Sequence, residues 1–259
     1  MHFEAEDYKL AVTEYHAAFR ILGDKGYAPD RYNAAIANAF IGQIDSAFFH
    51  LFRLAEKTKF LEYHIVINER YFEALKTDSR WTELLAILNP RNEVYNDSLA
   101  KVLLTIRDKD QKYRHMLDAV RRPYGEEPSD SFKSILKTMA YTDSMNLILV
   151  SSIIDQYGWL SQNEVGSKGN SALWLVIQHA DLETQEKYLP IMRKAVENGK
   201  AKISELAYLE DRILMRHGKK QLYGTQYQLN KKTNQMELWE IEDPVNLNKR
   251  RESLGLPPM

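Results

Sequence analysis

The chain has no cysteine among its 259 residues. That removes disulfides, thiolate metal ligation and a cysteine nucleophile together, and it leaves the redox compartment open. An excess of charge of one sign is missing too: 35 Lys and Arg stand against 36 Asp and Glu. No surplus positive field exists to hold nucleic acid or an anionic membrane, so nucleic acid is not an expected partner. No apolar run approaches the roughly 18 to 20 residues of a membrane span, and the opening MHFEAEDYK is too acidic for a signal peptide. The phosphate-cradling and nucleophile-elbow patterns GxxxxGK[ST], GxGxxG and GxSxG are absent, as are HExxH, ExxH and paired Cys/His spacings. No cofactor and no dedicated metal site is expected.

What the chain does contain is helical periodicity, with 44% hydrophobic and 27% charged residues, which is ordinary for a globular protein long enough for one large or two modest domains. From Tyr32, YNAAIANAFIGQIDSAFFHLFRLAEK gives small and apolar residues at helical spacing, a turn at Gly42 and a second amphipathic stretch: a helical hairpin. The order Ile41, Gly42, Gln43, Asp45, Ala47 resembles the turn and second helix of a tetratricopeptide repeat. Upstream, Tyr8, Ala11, Tyr15 and Ala18 are spaced like the second helix of another such repeat, whose first helix is missing. The natural chain is therefore expected to extend further, with an export signal and a periplasmic or cell-envelope location, or else to be cytoplasmic. Arg70 to Leu88 resembles a segment that closes such arrays, with Leu75, Trp81 and Leu84 packing inward. The resemblance implies a surface for a protein or peptide partner. Fewer than three repeats are present, however, so a capping bundle is the plainer alternative. Pro90, in NPRNE, marks the boundary, giving a repeat-like region 1–92 and a second domain 93–259.

In the second domain, polar residues interrupt apolar stripes. The helix from Ser98 steps through Leu99, Leu103 and Ile106, then Tyr113 and Leu117, and the position filling the gap is Asp110. The next, Ser131 to Tyr157, steps through Phe132, Ile135 and Met139, then Leu147, Val150 and Ile154, and the gap holds Asp143 with Asn146 beside it. LWLVIQHADLETQEKYLP then brings Gln178, His179, Asp181 and Gln185 within two turns; Gln185 precedes the stripe Leu189, Met192, Val196. Further on, Ala207 and Leu214 flank Asp211, with Arg212 next to it. Ionised groups on a buried stripe cost several kcal/mol unless paired, so these groups are expected to meet. As a site, His179 would be a general base oriented by Asp110 or Asp143, with Arg212 as an anion clamp, or one ligand of a carboxylate-rich metal centre. As structure, the same residues would be interhelical hydrogen bonds and Arg–Asp pairs, with Asp181 capping the helix from Leu182.

Val165 to Trp174 contains two glycines and could present an anion to a helix N-terminus, but Ser171 is more economically an N-cap before Ala172. Leu222 to Leu229 and Met236 to Ile241 read as two strands joined by a polar turn, a β-hairpin near 221–241 in which Gln221, Tyr223, Thr225 and Gln226 hem a pocket. Asp243 with Pro244 opens a short basic helix ended by Gly255, whose Arg250 and Arg251 are expected on a solvated face.

Four stretches carry a second resemblance: DQKYR (Asp110 to Arg114), GWLSQNEVGSKGNSALWLVIQHAD (Gly158 to Asp181), AYLEDRILMRHGKKQLYGTQ (Ala207 to Gln226) and IEDPVNLNKRRESLGLPP (Ile241 to Pro258). From about Leu99 onward the chain resembles the bacterial domain-of-unknown-function family 6624, a likeness that brings no activity with it. The positions matching the family pattern are Asp110, Gln111, Arg114, Asp143, His179, Asp181, Gln185, Asp211, Arg212, Tyr223, Gly224 and Gln226. The sequence thus leads to a mostly α protein: tetratricopeptide-like hairpins, then a helical domain with a small C-terminal β-hairpin. Its first functional expectation is a non-enzymatic protein- or ligand-binding or scaffold module. The alternative is a hydrolase or transferase using His179, Asp110, Asp143 and Arg212, with Gln111, Arg114, Asp181, Gln185, Asp211, Tyr223 and Gln226 around the ligand.

Overall fold

A computed structural model describes residues 7–58, 60–120, 129–230, 232–233 and 235–259. The opening residues 1–6 lie outside the described residues, as do Arg121 and Arg122, where the sequence pattern from Ser98 ends. The protein is mostly α-helical with one two-stranded antiparallel sheet near its C-terminus, and it divides into two compact units, 1–95 and 96–259.

In the first unit, α1 (Tyr8–Ile21), α2 (Ala28–Phe40) and α3 (Ile44–Lys57) are followed by α4 (Tyr63–Asn68), a 3-10 turn (Arg70–Leu75) and α5 (Ser79–Leu88). Buried Ala34, Ala35, Ala37 and Ala39 give α2 a smooth face against which α1 and α3 pack. Gly42, at φ +79°, makes the α2–α3 turn in a conformation that costs a side chain dearly. Phe48, Leu51 and Leu54 of α3 meet Phe72, Leu75, Trp81 and Leu84 in one apolar core. Side chains of that size contribute about 1.5 to 3 kcal/mol each when fully buried.

This core also holds charge. Arg31, only 4% exposed, donates to the Asp24 carbonyl at 2.8 Å and carboxylate at 3.2 Å, lies 4.5 Å above the Phe19 ring, and contacts His50 Nδ1 at 3.3 Å. A guanidinium can only donate, so His50 accepts at Nδ1 and is neutral with its proton on Nε2. Burial, reinforced by the charges of Arg31 and His16, lowers the His50 pKa to about 4.

In the second unit, α6 (Asp97–Val120) packs on α7 (Asp130–Tyr157) and on α8 (Gln162–His179); α9 (Leu182–Glu197) and α10 (Ile203–Arg216) pack on each other and on α8. β1 (Tyr227–Asn230) pairs with β2 (Gln235–Leu238) in the register Tyr227 to Leu238, and α11 (Leu247–Ser253) closes the chain. Ser161 starts α8 with a capping box: its hydroxyl accepts from Glu164 N–H while the Glu164 carboxylate accepts from Ser161 N–H. Gly166, at φ +75° and ψ 161°, is non-helical and divides α8 into two helical pieces joined at a kink. Ser171 is therefore mid-helix, not the N-cap expected from the sequence; its hydroxyl donates to Glu205 at 3.0 Å. Asn170 ties α8 to its neighbours by donating to the Leu160 and Lys200 carbonyls at 2.6 and 2.8 Å. On α9 the buried apolar positions are Tyr188, Met192 and Ala195, one residue before the expected Leu189 and Val196 at two of three steps.

Because folded His50 binds a proton only near pH 4, whereas the unfolded side chain does so near 6.5, the stability it confers is complete above about 6.5 and falls as pH drops toward 4. His50→Gln, which retains an acceptor for Arg31, should lose much of that pH dependence. Thermal melts of both proteins between pH 7 and pH 4 check it.

Candidate functional site

Asp110 is the gap in the α6 stripe, and it is 1% exposed. Its carboxylate meets His179 Nδ1 at 3.1 Å and Gln111 Nε2 at 2.8 Å, and it forms an ion pair with Arg114 Nη1 at 3.1 Å, a nitrogen that donates to the Asp110 carbonyl at 2.8 Å. Burial pushes the Asp110 pKa up, but the hydrogen bond and charge of His179, with Arg114 and Gln111, outweigh it and hold the carboxyl below its usual range. One turn along α6, Arg114 reaches across to α7 and takes both oxygens of Asp143 at 3.2 and 3.0 Å. A bidentate fork of this kind fixes direction as well as charge. Asp110, Asp143 and His179 thus meet, from three different helices.

They meet at a cavity of about 190 Å³, also lined by Ser144, Asn146, Leu147, Val176, Ala180 and Asp181. His179 sits on the last turn of α8, its Nδ1 directed to Asp110. Its Nε2 has no hydrogen-bond partner among the described residues. Asp181 has two roles: it lines the cavity, and it caps α9 by accepting from Thr184 N–H at 2.8 Å, which also holds its carboxyl below the usual range.

The remaining predicted residues form a second cluster that does not line this cavity. Asp211, fully buried on α10, accepts from the N–H groups of Leu222, Tyr223 and Thr225 and from the Thr225 hydroxyl, at 2.7 to 3.1 Å. The same loop is gripped from its other side. Arg250 donates to the Leu222 carbonyl at 2.8 Å, and Arg251 to those of Tyr223 and Pro257. Two corrections follow. Leu222 to Gln226 is a loop closed on a carboxylate and not the first half of a strand, so β1 begins only at Tyr227. Arg251, 9% exposed, is buried, and neither arginine is a merely solvated face. The helix that carries them begins at Leu247, while Asp243 accepts from Asn246 ahead of it.

Gln226 joins this loop to α10: its oxygen accepts from Arg212 Nε at 2.9 Å and its nitrogen faces the Tyr208 carbonyl at 3.3 Å. Arg212 also donates to the Gln178 carbonyl at 3.3 Å, the same carbonyl that takes Gln185 Nε2 at 2.8 Å, and Arg216 donates to the Ala180 carbonyl at 2.7 Å. These two cations sit on the carbonyl end of α8, where a helix carries partial negative charge. Among the described residues no carboxylate pairs with Arg212. Burial, with the nearby charges of Arg216 and Arg114, lowers its pKa. For Tyr223, burial and then the carboxylates of Glu210 and Asp211 raise the phenol pKa. Among the described residues, no three His, Asp or Glu side chains gather closely enough to hold a metal ion, and no helix is long and apolar enough to cross a membrane.

A family model, described as a family of unknown function, DUF6624, matches residues 97–259. The chain belongs to DUF6624. The match spans both clusters, from Asp110 to the arginines of α11, and it leaves residues 1–96 outside. No curated protein and no solved structure matches the chain. Within this DUF6624 domain, the sequence missed Arg216 and Ser144. Arg216 sits on the exposed end of an amphipathic helix, and Ser144 is exposed beside Asp143; neither interrupts an apolar stripe.

Asp211→Asn replaces one acceptor oxygen with an amide group that faces donors. It should destabilise the protein by about 3 kcal/mol, the combined scale of a lost charged hydrogen bond and an unsatisfied buried donor. Asp143→Asn, at a half-buried position, should cost less than about 1 kcal/mol. Urea denaturation of both variants measures the contrast.

Proposed function

We infer that the DUF6624 domain binds a small ligand in the cavity between α6, α7 and α8, as a non-enzymatic binding module. The observation that carries this reading is His179, which lines the cavity, is fixed at Nδ1 by the buried Asp110, and has no partner for Nε2 among the described residues. At about 190 Å³, the cavity lies below the roughly 300 to 1,000 Å³ of sites that enclose a drug-sized molecule, so it suits a small ligand or the tip of a larger one.

The same open nitrogen favours a second reading, hydrolase or transferase chemistry with His179 as general base and Asp110 as its orienter. Two features weigh for binding first. The Ser144 hydroxyl, in the same cavity, is engaged with the Ala140 carbonyl of its own helix at 3.0 Å. Arg212, expected as an anion clamp, is bonded to Gln226 and to the end of α8. Without an activated nucleophile or a free cation, a base and its orienter are an incomplete catalytic set.

For the first unit, we propose a tetratricopeptide-like partner surface. The close-packed α2–α3 hairpin supports it, as does a cavity of about 410 Å³ lined by His16, Phe19, Arg20, Phe49 and His50 among others. A cell-envelope setting belongs to the same proposal and rests on the sequence alone.

His179→Ala leaves Asp110 with both Gln111 and Arg114, so the fold should survive at a cost under about 1 kcal/mol, a thermal shift of roughly 2 to 4 °C. It should at the same time abolish binding of fragments that perturb the wild-type cavity. NMR screening of a fragment library against both proteins measures this; a fragment that binds both equally, or none that perturbs the cavity of the wild type, rejects the site.

A further inference from the structure

Resting on the reading of the first unit as a partner surface, we propose that the cavity beside His50 takes an organic anion, a carboxylate or phosphate carried on an aromatic ring. The cavity, of about 410 Å³, is lined by α1, α3 and the turn at Asp24. Its size falls within the roughly 300 to 1,000 Å³ of sites that enclose small organic ligands. His50, in the lining, is only 3% exposed. Arg31 donates to its Nδ1 at 3.3 Å, and a guanidinium has nothing but donors, so the ring proton sits on Nε2. That N–H has no acceptor among the described residues. A buried donor without a partner is unfavourable, and an anion in the cavity supplies the partner.

Charge points the same way. Arg20, also in the lining, is exposed on α1 and pairs with no carboxylate among the described residues. The two carboxylates of the lining are already engaged. Asp24 meets Arg31 at 3.2 Å and Arg53 at 2.7 Å, one on each oxygen, and Asp45 meets Arg80 at 2.8 Å. The field at His50 is accordingly positive: beyond burial, Arg31, His16 and Arg53 lower its pKa, and Asp24 alone opposes them. Asp45 and Ser46 belong to the first turn of α3, whose N-cap Gln43 forms no side-chain cap, so the positive end of that helix borders the same cavity. Phe19 and Phe49 supply its apolar wall. Each ring already carries an arginine, Arg31 at 4.5 Å and Arg53 at 6.0 Å from the ring centre, so neither draws a further cation strongly. Their remaining surface suits the flat body of an aromatic ligand. A cation would meet Arg20 and the helix end; an aromatic anion meets donors and a ring wall together.

Full-length protein titrated by NMR with phenylacetate, phenyl phosphate, benzylammonium and benzyl alcohol tests this. At least one of the two anions should bind saturably at the His50 cavity, at least tenfold more tightly than benzylammonium and benzyl alcohol. The tighter of the two identifies carboxylate or phosphate as the preferred group. Arg20→Gln, at an exposed position, should keep its melting temperature and weaken that anion at least fivefold. Lys57→Gln, which removes the same charge from the far end of α3, should leave binding unchanged. Long-range proton–nitrogen correlation at pH 7 should show His50 as the Nε2–H tautomer. The Nδ1–H tautomer, undiminished binding by Arg20→Gln, or benzylammonium or benzyl alcohol binding in the cavity as tightly as the anions overturns the anion assignment while the partner surface stands. If none of the four probes perturbs the cavity, both fail.

Discussion

A carboxylate that is 1% exposed has to be given partners before the helices around it can close. Asp110 gets them from Gln111 and Arg114 of its own helix and from His179 of α8. Arg114 then cannot swing away, and its fork takes Asp143 of α7. One buried charge therefore sets the relative placement of three helices. The cavity is what remains where their polar side chains, held by one another, do not fill the seam.

Asp211 obeys the same rule with a different outcome. Its oxygens are taken by backbone N–H groups and a hydroxyl of one short loop, whose carbonyls are held by Arg250 and Arg251. Nothing is left open, so Asp211 shapes the chain and offers no chemistry. The contrast explains why the DUF6624 motif residues, which look alike in sequence, divide into a clip and a cavity. A carboxylate satisfied by backbone is an anchor; one satisfied by side chains passes its orientation on to groups that still have a free face.

Helical period made half of this legible. Asp110 and Asp143 stood out because each broke an apolar stripe, and the family stretches marked His179 and Asp211 as well. Period says which side chain faces inward, but not what it will bond. Leu222 to Gln226 alternates like a strand, yet its N–H groups go to Asp211 instead of a neighbouring strand. Ser171 resembles a cap because two glycines precede it, whereas the chain uses Gly166 for a kink and Ser161 for the cap. Arg251 reads as surface because arginine usually is; it is buried because loop carbonyls await it. Arg31 and His50 of the first unit escaped notice for a related reason, being polar residues in an alanine-rich and an aromatic-rich helix that bond each other, with Arg31 also held by Asp24 in a turn.

The local pairing of Asp110 with Arg114 bears on the order of assembly. The two lie one turn apart on α6, acid before base, the arrangement that is favourable within a single helix in water. As α6 forms, its carboxylate already has a counter-ion. The later arrival of α7 and α8 dehydrates a near-neutral dipole in place of a bare anion. The seam that most resists burial is in this way made docking-competent by one helical turn, before any long-range contact exists.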